Sequence, residues 1–471
     1  MQDFVGRRDR RLQRPARALL ALVLLAATLA SCGQEVPPPP RPDVLLVVCD
    51  TLRADRTSAL DDDASLTPAL AALAARGTVF RQAVSPASWT LPAMAALFSG
   101  LDATSNRHAA RPDAAALAER FRAAGYTTVG ISANPLLATE NGFARGFDSF
   151  VVAPAASVAD LRANLDDLRA WDADALVARA LTAAGAAARD RPLFLWLQLM
   201  DTHVPYDPAH GTRAPAEPGW SAPRAEPPRW DAWQPELPPD AEALLSGWRR
   251  AYDGQVLALD GALGRLLDHW SEVRPDEPLV ALTADHGEGL FDHARNPDAP
   301  AGPGPLGAAY DEHGEQLYEE ALRVPLVLAG PGVPAGRSET RAVTTRDLGA
   351  TLLALCGVAD AAPRLPLAAD EPVPEVLFGA GTRGWYARRG DRQLVLPYPE
   401  RAAAAGVEPL LLEVAAGRCL PQRDNLAAAE PDATRALSAA LAAWLERSAP
   451  APEAPLDEAT RARLQQLGYV R

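Results

Sequence analysis

Residues 85–100, SPASWTLPAMAALFSG, set one hydroxyl, Thr90, at the mouth of an apolar helical run. The free amides and the dipole of a helix start favour an anion there. Threonine also caps helices as a matter of routine, so a purely structural role for Thr90 is the competing explanation. Its chemical company argues for more. Asp50 closes the apolar run 43–50, Asp201 and His203 close 192–203, and Asp285 with His286 follow the run that begins at residue 278. Two carboxylates, an imidazole and a hydroxyl, from Asp50, Asp285, His286 and Thr90, form a donor set for a divalent cation. The imidazole tilts the choice toward zinc or manganese, with calcium and magnesium still compatible. A cation beside the Thr90 oxygen would lower the pKa of an alcohol that is otherwise inert at neutral pH, which makes Thr90 a candidate nucleophile.

Those residues need strands that end together. Short apolar runs alternate with amphipathic stretches along the chain, the pattern of an α/β sandwich around a mainly parallel sheet. In such sheets ligands sit beyond the carboxyl ends of the strands. A fourth run, 323–332, reads as a strand ending in a turn. Thr67-Pro68 is expected to open a helix that Gly77 closes, and Asp113 one that Gly125 closes. Residues 157–189 read as helices without evident chemistry. The stretch 205–239 is rich in Pro, Trp and Gly, with Trp220, Trp230 and Trp233, and reads as a covering loop. A second insert separates His293 from His313. Beyond residue 372 the pattern changes to short strands, GWYARR and RQLVLP, followed by the helix PDATRALSAALAAWLERS.

Composition bounds the rest. The chain has 471 residues, 48% of them hydrophobic, enough for a large body with a smaller appendage. Residues 1–31 combine an arginine-rich start with an apolar run too short to span a bilayer, and end in Leu-Ala-Ser before Cys32. This is the pattern of a lipoprotein signal, with Cys32 as the acylated first residue and 32–41 as a proline-rich spacer. The body is then extracytoplasmic and tethered to a membrane. Formal charge is −14, and becomes more negative once the signal is gone, which disfavours nucleic-acid partners. The chain contains no lysine. Cys49, Cys356 and Cys419 lack any paired spacing, so no disulfide framework is expected.

The ordered set RPDVLLVVCDTLRADR, LQLMDTHVPYDP, YDGQVLALDGALGRLLD, LTADHGEGLFDH, EHGEQLYEEALRVPLVLAGPG, RDNLAAAEPD and LQQLGYV resembles the sulfatase family of the alkaline phosphatase superfamily. The resemblance implies an α/β/α sandwich over 42–372 with a smaller antiparallel-sheet subdomain over 373–471, a divalent metal, and hydrolysis of small-molecule, glycan or lipid-headgroup esters. It implies metal-ligand roles for Asp50, Asp285 and His286, and the nucleophile position for Thr90. His203 and His313 take substrate-side positions, where an imidazole can protonate a leaving group. Asp201, His108 and His293 are further substrate-binding candidates, while His269 reads as a surface residue of a helix.

The departures from the family pattern bear on substrate. Where family members carry the cysteine or serine that becomes formylglycine, this chain has Thr90, and where they carry arginine it has Met94. Thr51 stands where a second aspartate is common. A formylglycine hydrate accepts a sulfuryl group on one hydroxyl and expels sulfate with the other, whereas threonine has a single hydroxyl. A phosphorylated threonine can instead be attacked at phosphorus. The leading expectation is a phosphoester or phosphodiester hydrolase, or a headgroup phosphotransferase. The alternatives are a sulfuric-ester hydrolase working without formylglycine, and a silent glycan- or lipid-binding lipoprotein on the same fold.

Overall fold

The computed structural model describes residues 41–60, 66–106, 116–154, 170–204, 206–211, 241–290, 313–314, 316–358, 362–382, 384–399, 402, 409–414 and 425–448. Cys32 and the signal-like segment, His108, His293 and the tryptophan-rich insert lie outside the described residues.

Among the described residues nine strands form the main sheet: β1 (Val44–Cys49), β2 (Gly77–Val84), β3 (Thr127–Ser132), β4 (Ser149–Val152), β5 (Leu193–Leu199), β6 (Leu279–Ala284), β7 (Arg323–Val324), β8 (Leu326–Ala329) and β9 (Arg337–Thr344). Their order is β4-β3-β5-β1-β6-β8-β2-β7, with β9 also on β2. The run β4-β3-β5-β1-β6 is parallel throughout. Strand β1, VLLVVC, is buried at every position, which is why its sequence is continuously apolar rather than alternating. At its entry Asp43 accepts from the Leu193 amide at 2.7 Å and pairs with buried Arg274 at 2.7 Å, so the register of β1 against β5 is pinned far from the ligand edge.

The run 323–332, expected as one strand, is two. Pro325 separates β7 from β8, because it has no N–H to give a ladder, and both pieces lie antiparallel to β2. Gly77 also differs from its expected part. The helix Pro68–Ala75 ends before it, and Gly77 opens β2 where a Cβ would fall 2.0 Å from the Leu328 carbonyl oxygen. The amino end of that helix is held by Asp260, whose carboxylate accepts from the Ala69 and Leu70 amides. Asp113, expected to open a helix, lies outside the described residues; the helix is described over Leu117–Ala123, where Glu119 accepts the Ala116 N–H at 2.8 Å.

A second sheet carries β10 (Leu377–Ala380), β11 (Gly384–Arg389), β12 (Arg392–Pro397) and β13 (Leu410–Glu413), antiparallel in sequence order, with the helix Pro431–Arg447 packed on it. Cys49 is a free, buried thiol, and Cys356 is buried. Among the described residues no helix is long and apolar enough to cross a membrane.

Candidate active site

Four parallel strands, β3, β5, β1 and β6, end at one edge, and each is followed by a polar residue that chemistry can use. Asp50 follows β1, and its backbone N–H donates to the Leu199 carbonyl, prolonging the ladder by one residue beyond the strand. Thr51 then turns into the left-handed region, φ 58°, a strained place for a β-branched residue. The turn aims the Thr51 N–H at Asp285 Oδ1, 3.3 Å away, and Tyr252 holds it by donating to the Thr51 carbonyl at 2.9 Å.

Asp285 and His286 follow β6. The His286 N–H donates to Asp285 Oδ1 at 2.8 Å. The ring Nδ1 lies 3.0 Å from the Gly287 carbonyl, so Nδ1 carries the proton and Nε2 presents its lone pair. That nitrogen stands 3.5 Å from Asp285 Oδ2 and 3.7 Å from Asp50 Oδ1. Both of those carboxylate oxygens are buried without a hydrogen-bond partner. One donor atom from each of Asp50, Asp285 and His286 lies within 4.8 Å of the others.

Electrostatics point the same way. Burial, and then the Asp50 charge, push the Asp285 carboxyl well above the usual carboxylate range. Burial, and then the His313 charge, push His286 down to about 3. A buried pair of carboxylates with a neutral imidazole and two orphaned oxygens is costly unless a cation sits among them, so the donor set fits a divalent ion.

Thr90 is the first residue of the helix Thr90–Ser99. The cap position belongs to extended Trp89, which makes no side-chain cap bond. The hydroxyl of Thr90 instead lies 3.3 Å from His286 Nε2, within the same pocket of donors. Pro92 fits the first turn because its missing N–H would have no intrahelical acceptor there. Met94 is fully buried among apolar neighbours.

His313 is buried, its ring centre 4.3 Å from that of His286 and 5.0 Å from that of His203. Burial and the His203 charge push it down to about 3. The His313 ring thus neighbours both other imidazoles. The His203 Nδ1 lies 2.6 Å from the Val204 carbonyl. Asp201 behaves differently, since its Oδ1 accepts the Ala173 N–H at 3.0 Å, at the start of the helix Ala173–Ala186. His269 is exposed on the helix Ala241–Val273, as the sequence reading expects.

Two residues of the site were not singled out from the sequence. Asn134, just past β3, donates to Asp50 Oδ2 at 2.5 Å and to Thr90 Oγ1 at 3.4 Å. Glu288, fully buried, faces His313 Nδ1 at 3.2 Å. An Asn-Pro pair after a run of β-formers was the only sequence signal for the first, and the acid within DHGE the signal for the second.

Residues 42–358 match the family model described as Sulfatase. The chain belongs to the sulfatase family. This is a family of metal-dependent, ester-hydrolysing enzymes of the alkaline phosphatase superfamily. Sequence comparison with the curated proteins finds no match. Among solved structures, the sulfatase-family chain is similar to the phosphonate monoester hydrolase of Agrobacterium radiobacter, with 18% identity over 87% of this chain and 96% of that one and a TM-score of 0.64. The phosphonate monoester hydrolase of Silicibacter pomeroyi gives 20% identity, 87% and 96% coverage, and a TM-score of 0.62. A protein solved in complex with its substrate D-glucosamine-2-N,6-O-disulfate gives 16%, 87% and 98%, and 0.64. At these identities the likeness is one of fold.

Proposed function

We propose that this sulfatase-family hydrolase acts on phosphoesters, phosphodiesters in particular, with Thr90 as the nucleophile. One observation carries the proposal: the Thr90 hydroxyl leaves the cap position to Trp89 and stands 3.3 Å from His286 Nε2, beside the orphaned oxygens of Asp50 and Asp285. Asp50, Asp285 and His286 are the residues to hold a divalent cation, zinc or manganese by their donor types. The chemistry such an ion supplies is neutralised charge at phosphorus and a lowered pKa for a neighbouring alcohol.

The chain's own groups do the rest. The first-turn amides of the Thr90 helix orient an anionic phosphoryl oxygen. The Thr90 hydroxyl passes its proton to solvent water as its oxygen bonds to phosphorus, and the bond from phosphorus to the leaving oxygen breaks. An imidazole of the His203–His313 pair delivers a proton to that oxygen. The same imidazole takes a proton from the water that then attacks phosphorus, breaking the bond to Thr90, whose oxygen recovers a proton from solvent. With one oxygen on its β-carbon, Thr90 has no second hydroxyl with which to expel sulfate.

The test is turnover of aryl phosphodiesters, phosphonate monoesters, phosphate monoesters and sulfates by purified protein with added divalent metals. Phosphodiester turnover lost in Thr90→Ala is the expected result. Sulfate turnover that survives Thr90→Ala sinks the proposal.

The opening residues support a lipid anchor on Cys32 and an extracytoplasmic body, so glycan and membrane-lipid headgroup esters belong among the substrates assayed. Labelled palmitate is expected on the full chain expressed in a bacterium and absent from Cys32→Ser. Equal labelling of both removes the anchor.

A further inference from the structure

Each of the three candidate ligands has one atom tied off and one left for the shared point. Asp285 Oδ1 is held by the amides of His286 and Thr51, leaving Oδ2. His286 Nδ1 is held by the Gly287 carbonyl, leaving Nε2. Asp50 Oδ2 is held by Asn134, leaving Oδ1. The first two are tied by backbone and the third by a side chain. Asn134 is therefore the tie that mutation can remove.

The orientation of this amide is decided by its surroundings. Asn134 Oδ1 accepts the Leu136 N–H at 2.9 Å, so the NH2 group faces the site. Its backbone N–H donates to Ser132 Oγ at 3.1 Å, and Ser132 Oγ donates to its carbonyl at 3.1 Å. Those bonds complete the turn after β3 without using Nδ2. Both contacts of Nδ2 land on other elements, on Asp50 after β1 and on Thr90 at its helix start. The side chain is 2% exposed, so water offers no substitute for either contact.

We propose that Asn134 is a positioning residue for the transfer. It limits Asp50 to a single free oxygen and holds the Thr90 hydroxyl on the line of attack. The inference rests on Thr90 being the nucleophile. Without the amide, Asp50 has two free oxygens with which to meet a cation, and the Thr90 hydroxyl loses a donor that fixes its rotation.

Two variants separate this from a role in the turn. Asn134→Ala removes everything, while Asn134→Ser keeps an oxygen that can accept the Leu136 N–H but is too short to reach Asp50 and Thr90. With bis(4-nitrophenyl) phosphate and manganese or zinc, both variants should lose roughly 10- to 100-fold in kcat with little change in KM, the size usual for a group that orients metal ligands. In cobalt-loaded protein the visible absorption should weaken in both, because a two-oxygen contact from Asp50 raises the coordination number. Cobalt absorption can be read with or without turnover. An Asn134→Ser protein with wild-type kcat and wild-type cobalt spectrum overturns the inference and leaves the Thr90 reading intact. Turnover that survives Thr90→Ala overturns that reading, and the hold on the hydroxyl with it. Loss of kcat with an unchanged cobalt spectrum overturns the Asp50 half.

Discussion

Asp201 shows how the same residue type, two positions before a site histidine, can take another task. Its Oδ1 accepts the Ala173 N–H, and its Oδ2 is buried without a partner. Burial pushes its carboxyl up to about 6, and the Ala173 N–H opposes this only in part. The protonated form is therefore favoured in the folded chain relative to the unfolded one, where the pKa is about 3.9. A raised folded pKa contributes stability that is full below about pH 4 and is lost as pH rises through about 6. Asp201→Asn keeps an oxygen for Ala173 but cannot ionise. Between pH 4 and 7 the wild type should lose about 1–2 kcal/mol relative to this variant, allowing for the residue's only partly buried position. Urea midpoints across that range measure it. Two parallel curves would show that the carboxyl titrates normally in the fold.

At the scale of elements, legibility follows burial. Strands β1, β5 and β6 are enclosed on both faces, so they are continuous apolar runs and their polar ends stand out in sequence. Strand β3 is enclosed too, yet it reads TTVGIS, because aromatic rings press on it. A Cβ on Gly130 would meet the Phe150 ring at 2.8 Å and the Phe147 ring at 3.2 Å. A strand that leaves room for rings carries a weak hydrophobic signature, and the Asn134 that follows it is correspondingly hard to find. Glu288 was hidden differently. Its partner His313 is 25 positions away across an insert, a distance over which periodicity says nothing. The two roles open to Thr90, cap or site residue, cannot be separated by residue type. What separates them is the extended Trp89 at the cap position, which turns the Thr90 side chain inward.

At the scale of the molecule the two sheets share the turn that leads into Thr90. The Tyr386 hydroxyl donates to the Ser85 carbonyl at 2.6 Å, and the Ala380 N–H donates to the Pro86 carbonyl at 3.0 Å. The Thr382 N–H donates to the Gly314 carbonyl, next to His313, at 2.9 Å, and buried Arg388 pairs with buried Glu319 at 2.7 Å. Apolar side chains interleave across the same boundary, Val84, Leu317 and Leu322 from one side with Leu377, Tyr386, Val395 and Leu412 from the other. At roughly 1.5–3 kcal/mol for each buried side chain, the four from the second sheet contribute about 6–12 kcal/mol. That is comparable with the whole stability of a typical domain, about 5–15 kcal/mol. We propose on this ground that 373–471 is a subdomain in position but not in folding, and that the Ser85–Thr90 turn keeps its shape only with the second sheet in place. A chain of residues 42–372 should melt without cooperativity and show no zinc-dependent rise in Tm, while 42–471 melts cooperatively and shows one. Differential scanning calorimetry with and without zinc decides it, and a sharp, zinc-shifted transition in the shorter chain would mean that the main sheet builds the site alone.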